Sequence, residues 1–568
     1  LSDWSSDVCS SDLYVHKALT PIFGLSGDRV RVIQTETGGG FGGKEEYPSL
    51  LAAHAGLLAW KSGRPVKMIY DRAEDMAATT KRHPSRTRHK TALSRDGKIL
   101  GMDIDFVIDG GAYATLSAVV LSRGTIHAAG PYFCPHVRIR SRAVATNTAP
   151  HGAFRGFGAP QSIFALERHL NVIAAQLGLT PEEIRRRNFL QTGQTTATHQ
   201  EIREPIQLAK LLDRALQLSD YAEKKKMFAE ENRAAPALQS HLKKGIGFAT
   251  FMHGAGFTGS GEKTLASVVG IEVTPEGRAR VLSASTEIGQ GTNTIFSSIA
   301  AHALGVDLSA IEVAQPDTHS VPNSGPTVAS RTCMIVGKLV ENAAIALKQV
   351  LLQSQLLTEP YTTEEFQAAA QKHLTQIGPL KLFTQYQAPP QINWDDATYQ
   401  GDAYGTYAWA VYVATITFDT LTYEVQVTDF VALQEIGKVI HPILAAGQIE
   451  GGVAQGIGFS LYEKVIYQQG RMMNNRMTNY IVPTAADVPP IRVFFEEVPY
   501  AYGPQGAKGI GELPMDGPAP AILNAIEDAL GFPLPSALNR VPLMPEDLMR
   551  ELASHDLMEN PHHASLTV

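Results

Sequence analysis

The residues best placed to do chemistry sit in glycine-rich stretches. Gly38-Gly39-Gly40-Phe41-Gly42-Gly43-Lys44-Glu45 follows an apolar, β-branched run, Val30 to Ile33, and precedes a Leu/Ala-rich segment ending near Trp60. Five glycines around one Phe let the backbone take φ > 0 and come close to a ligand, because no Cβ intervenes. Such a loop presents backbone N–H groups to an anion or a bulky cofactor. Four further stretches set small residues beside single polar side chains: Ala153-Phe154-Arg155-Gly156-Phe157-Gly158, Thr286-Glu287-Ile288-Gly289-Gln290-Gly291, Pro326-Thr327-Val328-Ala329-Ser330 and Gly509-Ile510-Gly511-Glu512-Leu513-Pro514. Glycines beside Gln290 and Glu512 suit close approach to a planar or phosphorylated ligand, although the same pairing is common turn chemistry.

The opening loop imitates a dinucleotide fingerprint. Gly38, Gly40 and Gly43 satisfy G-x-G-x-x-G, a strand precedes and a helix follows. Two details oppose that reading. The next acidic residue after an apolar run, Asp71, lies 28 positions beyond Gly43. Pro48 suits a first helical turn that starts after the glycines rather than among them.

The elements that must position these loops are mixed. Residues 14–25 predict a short helix, 30–35 a strand, 48–62 a helix and 66–70 a strand. His89 to Asp109 alternates around Arg95-Asp96-Gly97, a hairpin signal. Ile163, Leu166, Leu170, Ile173 and Leu177 fall at helical spacing, and Thr180-Pro181-Glu182-Glu183 opens the next helix with a capping box. Residues 205–231 predict a charged helical stretch and 229–244 a linker. Strands at 266–274, 279–284, 407–418 and 424–433 then alternate with helices at 292–304, 334–354, 448–462 and 518–530. This is an α+β mixture rather than a βαβ repeat. The last dozen or so residues should fray.

A chain of 568 residues is too long for one core. With 44% hydrophobic and 18% charged residues it is a soluble globular composition. A net charge of −7 gives no electrostatic case for nucleic acid, and no apolar run approaches the length of a membrane span. Cys9, Cys134 and Cys333 form no C-x-x-C pair, which argues against an iron–sulfur cluster, a zinc site or a disulfide framework. Residues 1–13 are Ser/Asp-biased and lack the basic start and apolar middle of a signal peptide. They look like translated adapter read-through, so native sequence is expected to begin near Tyr14 with an upstream portion missing.

Taken in order, these stretches closely resemble the molybdopterin-binding subunit of the xanthine dehydrogenase family of molybdenum hydroxylases. The resemblance runs from about Tyr14 to about Gly531. It includes Asp71-Arg72-Ala73-Glu74-Asp75-Met76, Arg82-His83-Pro84, Val321-Pro322-Asn323 and Gly447-Gln448-Ile449-Glu450-Gly451. It implies two elongated mixed α/β lobes, N-terminally truncated, at 14–240 and 241–568, the second carrying the catalytic Glu loop.

By that resemblance, molybdenum is held by a dithiolene on the pterin, the cytosine dinucleotide form being one option, with no protein metal ligand. The pterin would be cradled by Gly40, Phe41, Gly42, Ala153, Phe154, Arg155, Gln290, Ala329, Ser330 and Gln448. Glu512 matches the family's general base, which deprotonates the attacking oxygen. A positioned base supplies ~10²–10⁴-fold, and burial between Gly511 and Pro514 predicts a pKa raised toward neutrality. Lys508 is also a family position. Glu45 and Arg123 correspond to the charged pair that orients purines, and Phe157 and Phe257 to the aromatic pair that sandwiches the ring; an ordinary ion pair and core phenylalanines remain the alternative.

The implied activity is hydroxylation of hypoxanthine, xanthine or a related N-heteroaromatic, with water as the oxygen source. Electrons would leave through 2Fe-2S and FAD groups on partner subunits of a hetero-oligomer, in the cytoplasm by default. An aldehyde oxidoreductase or a catalytically inactive cofactor-binding subunit are the rivals. The family's Gln beside the apical metal ligand would fall near Ser10, within the leader. The Cys-Ser-Phe-Arg loop of carbon monoxide dehydrogenases is absent, since Gly152-Ala153-Phe154-Arg155 stands in its place.

Overall fold

A computed structural model describes residues 5–7, 12–35, 37–234 and 241–554. Its centre is a four-stranded sheet in the order Ile491–Glu496, Val425–Glu435, Tyr407–Asp419, Leu242–Gly254, antiparallel except for the edge strand Ile491–Glu496. Tyr407–Asp419 is buried along nearly its whole length. That explains its almost unbroken apolar sequence: both faces of the sheet are covered.

Alternation along this strand separates two cores. Ala408, Ala410, Tyr412 and Ala414 face helices Pro442–Leu461 and Pro518–Leu530. Trp409, Val411 and Val413 face Leu166 and Leu170 of helix Ala159–Leu177 and Leu208 and Leu211 of helix Leu208–Leu218. Helix Pro518–Leu530 comes so close that a Cβ on Gly245 or Gly247 would lie 2.1–2.2 Å from the Ala525 backbone. Residues on both sides of position 240 share these cores. Glu167 accepts from Arg185 Nε at 3.0 Å and from the Thr250 amide at 2.9 Å, tying the two halves together.

A third core lies between a smaller sheet, which includes Val268–Val273 and Ala279–Leu282, and helices Thr292–Leu304, Gly337–Gln353 and Thr363–Gln376. In the first half, Ser85–Leu93 and Ile99–Gly111 form the expected hairpin, and Val137–Ala145 adds parallel to it. The capping box at Thr180 and Glu183 forms with both hydrogen bonds and Pro181 in the first turn.

Three expectations fail. Residues 66–70 are not a strand; they run irregularly into helix Arg72–Ala78, because Asp71 caps it by accepting from the Glu74 amide. The stretch 205–231 divides into helices Leu208–Leu218 and Tyr221–Ala234. Within 229–244, residues 229–234 are helical and 242 begins a strand, while 235–240 lie outside the described residues. Ser5–Asp7, inside the suspected leader, pairs in parallel with Val32–Gln34. The positions near Ser10 and after 554 fall outside the described residues. Among the described residues, no helix is long and apolar enough to cross a membrane.

Candidate active site

Three elements bring charge to one buried point. Helix Ser117–His127 carries Arg123, strand Leu242–Gly254 carries His253 one residue from its end, and the loop at 509–512 leads through the turn Leu513–Met515 into helix Pro518–Leu530. Arg123 Nη1 donates to Glu512 Oε2, and Arg123 Nη2 donates to the Gly256 carbonyl at 2.9 Å. His253 Nε2 stands 3.6 Å from the same Glu512 oxygen, while His253 Nδ1 is 2.7 Å from Asp516 Oδ2. Ser330 Oγ donates to Glu512 Oε2 at 3.3 Å and accepts from the Glu512 amide at 3.0 Å. Arg123, His253 and Ser330 thus all converge on Oε2.

The loops are locked together by backbone and guanidinium. The Arg155 amide donates to the Phe41 carbonyl at 2.9 Å. Arg155 Nε donates to the Gly511 carbonyl at 2.6 Å and Nη2 to the Gln448 carbonyl at 2.7 Å. One planar fork thus joins the Phe-Arg-Gly-Phe-Gly loop to the Glu512 loop and the 442–461 helix. Phe41, Phe157, Ala329 and Ser330 all have φ between 50° and 55°. Left-handed backbone at non-glycine residues costs about 1–3 kcal/mol each and persists where the surroundings over-determine it.

These residues enclose a cavity of about 1130 Å³. Fourteen of the fifteen residues expected at the site line it: Gly40, Phe41, Gly42, Glu45, Arg123, Phe154, Arg155, Phe157, Phe257, Gln290, Ala329, Ser330, Gln448 and Glu512. Ala153 does not; its carbonyl carbon backs Gly42, where a Cβ would sit 2.8 Å away. Gln290 braces its own loop, its Nε2 donating to the Thr286 carbonyl at 3.2 Å and its Oε1 accepting from the Ile288 amide at 2.8 Å.

Electrostatics depart from expectation at Glu512. Burial alone would raise the Glu512 carboxyl, but Arg123 and then His253 outweigh it and hold the pKa at about 2. The expected rise toward neutrality is therefore wrong for this geometry, since the deciding neighbours are cations distant in sequence. Glu45 behaves in the opposite way. Burial, the charge of Glu512 and that of Glu46 push it up to about 8, against a smaller pull from Arg123. The Arg123 guanidinium pairs with Glu512, and the Glu45 carboxyl is held toward its neutral form by burial and by the neighbouring carboxylates. Lys508 is buried, reaches the wall of the same cavity, and donates to Glu435 Oε2 at 2.6 Å and to the Tyr407 carbonyl at 3.0 Å.

Sequence reasoning missed His253 and Asp516. The available signals were a histidine beside Gly254 at the end of a buried apolar strand, and an acid four residues after Glu512.

The lining suits a pterin. Glycine and left-handed backbone at 38–42, 289–291 and 329–330 can present peptide groups to its edge, and a Cβ at Gly38 or Gly289 would meet open space. Gln448 and Arg155 add an amide and a cation. Among the described residues no three His, Cys, Asp or Glu side chains gather to hold an ion.

Comparison with known proteins agrees. Two models of the molybdopterin cofactor-binding domain match residues 8–189 and 214–489. The chain is 30% identical over 554 residues to a probable xanthine dehydrogenase subunit of Bacillus subtilis, covering 94% of this chain and 70% of that one. It is also 30% identical to the aldehyde oxidoreductase of Megalodesulfovibrio gigas, covering 94% of this chain but 56% of that protein. The crystal structure of quinoline 2-oxidoreductase from Pseudomonas putida 86 superposes with a TM-score of 0.85 at 26% identity, over 97% of this chain and 72% of that one. Molybdopterin is accordingly the cofactor of this fold, and the chain belongs to the molybdopterin-binding subunits of the xanthine dehydrogenase family of molybdenum hydroxylases, which are oxidoreductases.

Proposed function

We propose that this chain hydroxylates a purine, or a related N-heteroaromatic, at an electron-poor ring carbon, with water as the source of oxygen. The observation that carries the reading is the convergence of Glu512, Arg123, Glu45, Phe157 and Phe257 on one cavity. When bound, the molybdenum cofactor would supply a Lewis-acidic centre for the oxygen nucleophile and a sink for the electrons. Gly40, Phe41, Gly42, Phe154, Arg155, Gln290, Ala329, Ser330 and Gln448 would hold it, with Ala153 supporting Gly42 from behind.

The protein's own residues do the rest. Phe157 and Phe257 offer faces for a planar ring, each backed by a guanidinium: Arg123 lies 5.6 Å from the Phe157 centroid and Arg331 5.4 Å from that of Phe257. Glu45, protonated, donates to a ring nitrogen or carbonyl. Arg123 stabilises charge gathering on the substrate's oxygen, a contribution of about 1.5–3 kcal/mol. Glu512 takes the proton from the attacking oxygen. Arg123 cannot serve two anions fully at once: as the substrate's oxygen draws on the guanidinium, Oε2 loses its main counter-charge and the carboxylate becomes more basic. Substrate binding and base activation are thereby coupled.

An aldehyde is the second reading, favoured by the 30% identity to an aldehyde oxidoreductase. Against it stands the polarity of the site. A heteroaromatic with several acceptors can answer the Glu45 acid and the Arg123 guanidinium at separate atoms, whereas an aldehyde brings one carbonyl oxygen, and polar groups left without a match cost affinity. Electrons would leave through 2Fe-2S and FAD groups on partner subunits, in a cytoplasmic hetero-oligomer. Turnover of molybdopterin-loaded protein on hypoxanthine, xanthine, quinoline and benzaldehyde tests the assignment. Heteroaromatic turnover well above benzaldehyde is expected; aldehyde turnover alone would overturn it.

A further inference from the structure

We propose that His253, clamped by Asp516, is a positioning residue that holds the Glu512 carboxylate in place when Arg123 is engaged by substrate. The proposal rests on the reading of Glu512 as the base. Its geometry is that of a relay with a fixed back end. Asp516 is 1% exposed and His253 2%, so neither can trade its partner for water. The Nδ1–Asp516 contact of 2.7 Å fixes the ring's rotation and leaves Nε2 directed at Glu512 Oε2, 3.6 Å away. Arg123 Nη1, 3.3 Å from Nε2, converges on the same oxygen. The two cations and Ser330 Oγ thus face one acceptor, and the imidazole is the cation left beside it once the guanidinium turns away.

The charges support this arrangement. Facing His253 are Asp516 and Glu512 from the helix-leading loop, Arg123 from its helix, and the His127 ring at 5.1 Å. Behind them, Arg82 acts on Asp516 and Glu45 acts on Glu512. With His253 protonated, two cations oppose two carboxylates in the innermost group; with it neutral, a net negative charge would be buried. Burial works against the imidazolium, yet Asp516 and Glu512 raise its pKa to about 9. His127 is different: burial and the neighbouring His253 drive it far down, so it remains a neutral spacer, accepting from the Gly254 amide.

The test uses the full chain as isolated with its cofactor. Histidine labelled with ¹³C, assigned by comparison with His253→Gln, should show a ring that stays protonated through pH 8, and Asp516→Asn should lower that titration. In turnover, His253→Gln should cut kcat by about 100-fold, the loss expected from a base displaced by an ångström, with KM moved by less than about threefold. The acid limb of the kcat profile should move to higher pH, because Glu512 has lost a cation. A ring neutral at pH 7 in the wild type, or an acid limb left in place by His253→Gln, overturns the proposal. If His253→Gln does not fold, the wild-type spectrum, assigned with Asp516→Asn, decides alone. If Glu512→Gln turns over normally, the base assignment itself has failed, a result distinct from either of these.

Discussion

Replacing Glu45 by Gln probes the charge distribution of the site without touching its shape. In the folded chain this carboxyl titrates at about 8 rather than its ordinary 4.5. A raised acid binds its proton more tightly in the folded than in the unfolded state, so folding stability falls as pH climbs through the window from about 4.5 to about 8 and levels off above it. The cost works out at about 1 kcal/mol at pH 5 and about 5 kcal/mol at pH 9. Gln cannot ionise and has the size of the protonated acid, so Glu45→Gln escapes the cost. Its stability advantage over the wild type should grow by about 4 kcal/mol between pH 5 and pH 9. Urea unfolding at several pH values, with unchanged slope, reads this directly. A difference independent of pH would mean that Glu45 is ionised and paired when folded, and the account of the site would be wrong.

Arg123→Met strands Glu512 beside His253 and should cost about 3–5 kcal/mol in urea unfolding at pH 7, partly recovered when Glu512→Gln is added. The same variant should depress purine turnover far more than aldehyde turnover; equal losses would discredit its orienting role. Gly42→Ala, at φ +100° with its new Cβ 2.8 Å from the Ala153 carbonyl carbon, should lower the molybdenum-to-protein ratio of purified protein. A ratio equal to wild type refutes the cradle. Lys508→Met leaves Glu435 buried without its cation and should cost about 3–5 kcal/mol of stability with KM unchanged. A shifted KM at unchanged stability would make Lys508 a substrate contact instead.

Much of the site was legible because its parts are local. The glycine loop, the Phe-Arg-Gly-Phe-Gly loop and the Glu512 loop each announce themselves within six or eight residues. Helices 48–62, 292–304 and 518–530 follow from periodicity and match Pro48–Ser62, Thr292–Leu304 and Pro518–Leu530. What stayed hidden depends on distant partners. The Glu512 pKa is set by Arg123 and His253, hundreds of residues away in sequence. Strand Leu242–Gly254 was not anticipated, since Gly245 and Gly247 weaken its local signal while making room for the 518–530 helix. Residues 66–70 have an apolar, strand-like run, but the Asp71 cap and helix Arg72–Ala78 leave it without a ladder partner.

In the proposed function, the Glu512 carboxylate accepts the proton from the attacking oxygen. Single-turnover reduction of molybdopterin-loaded Glu512→Gln by a purine, at cofactor content equal to wild type, measures that step most directly. The rate should fall by about 10²–10⁴-fold with substrate affinity little changed. A rate equal to that of the wild type would contradict it.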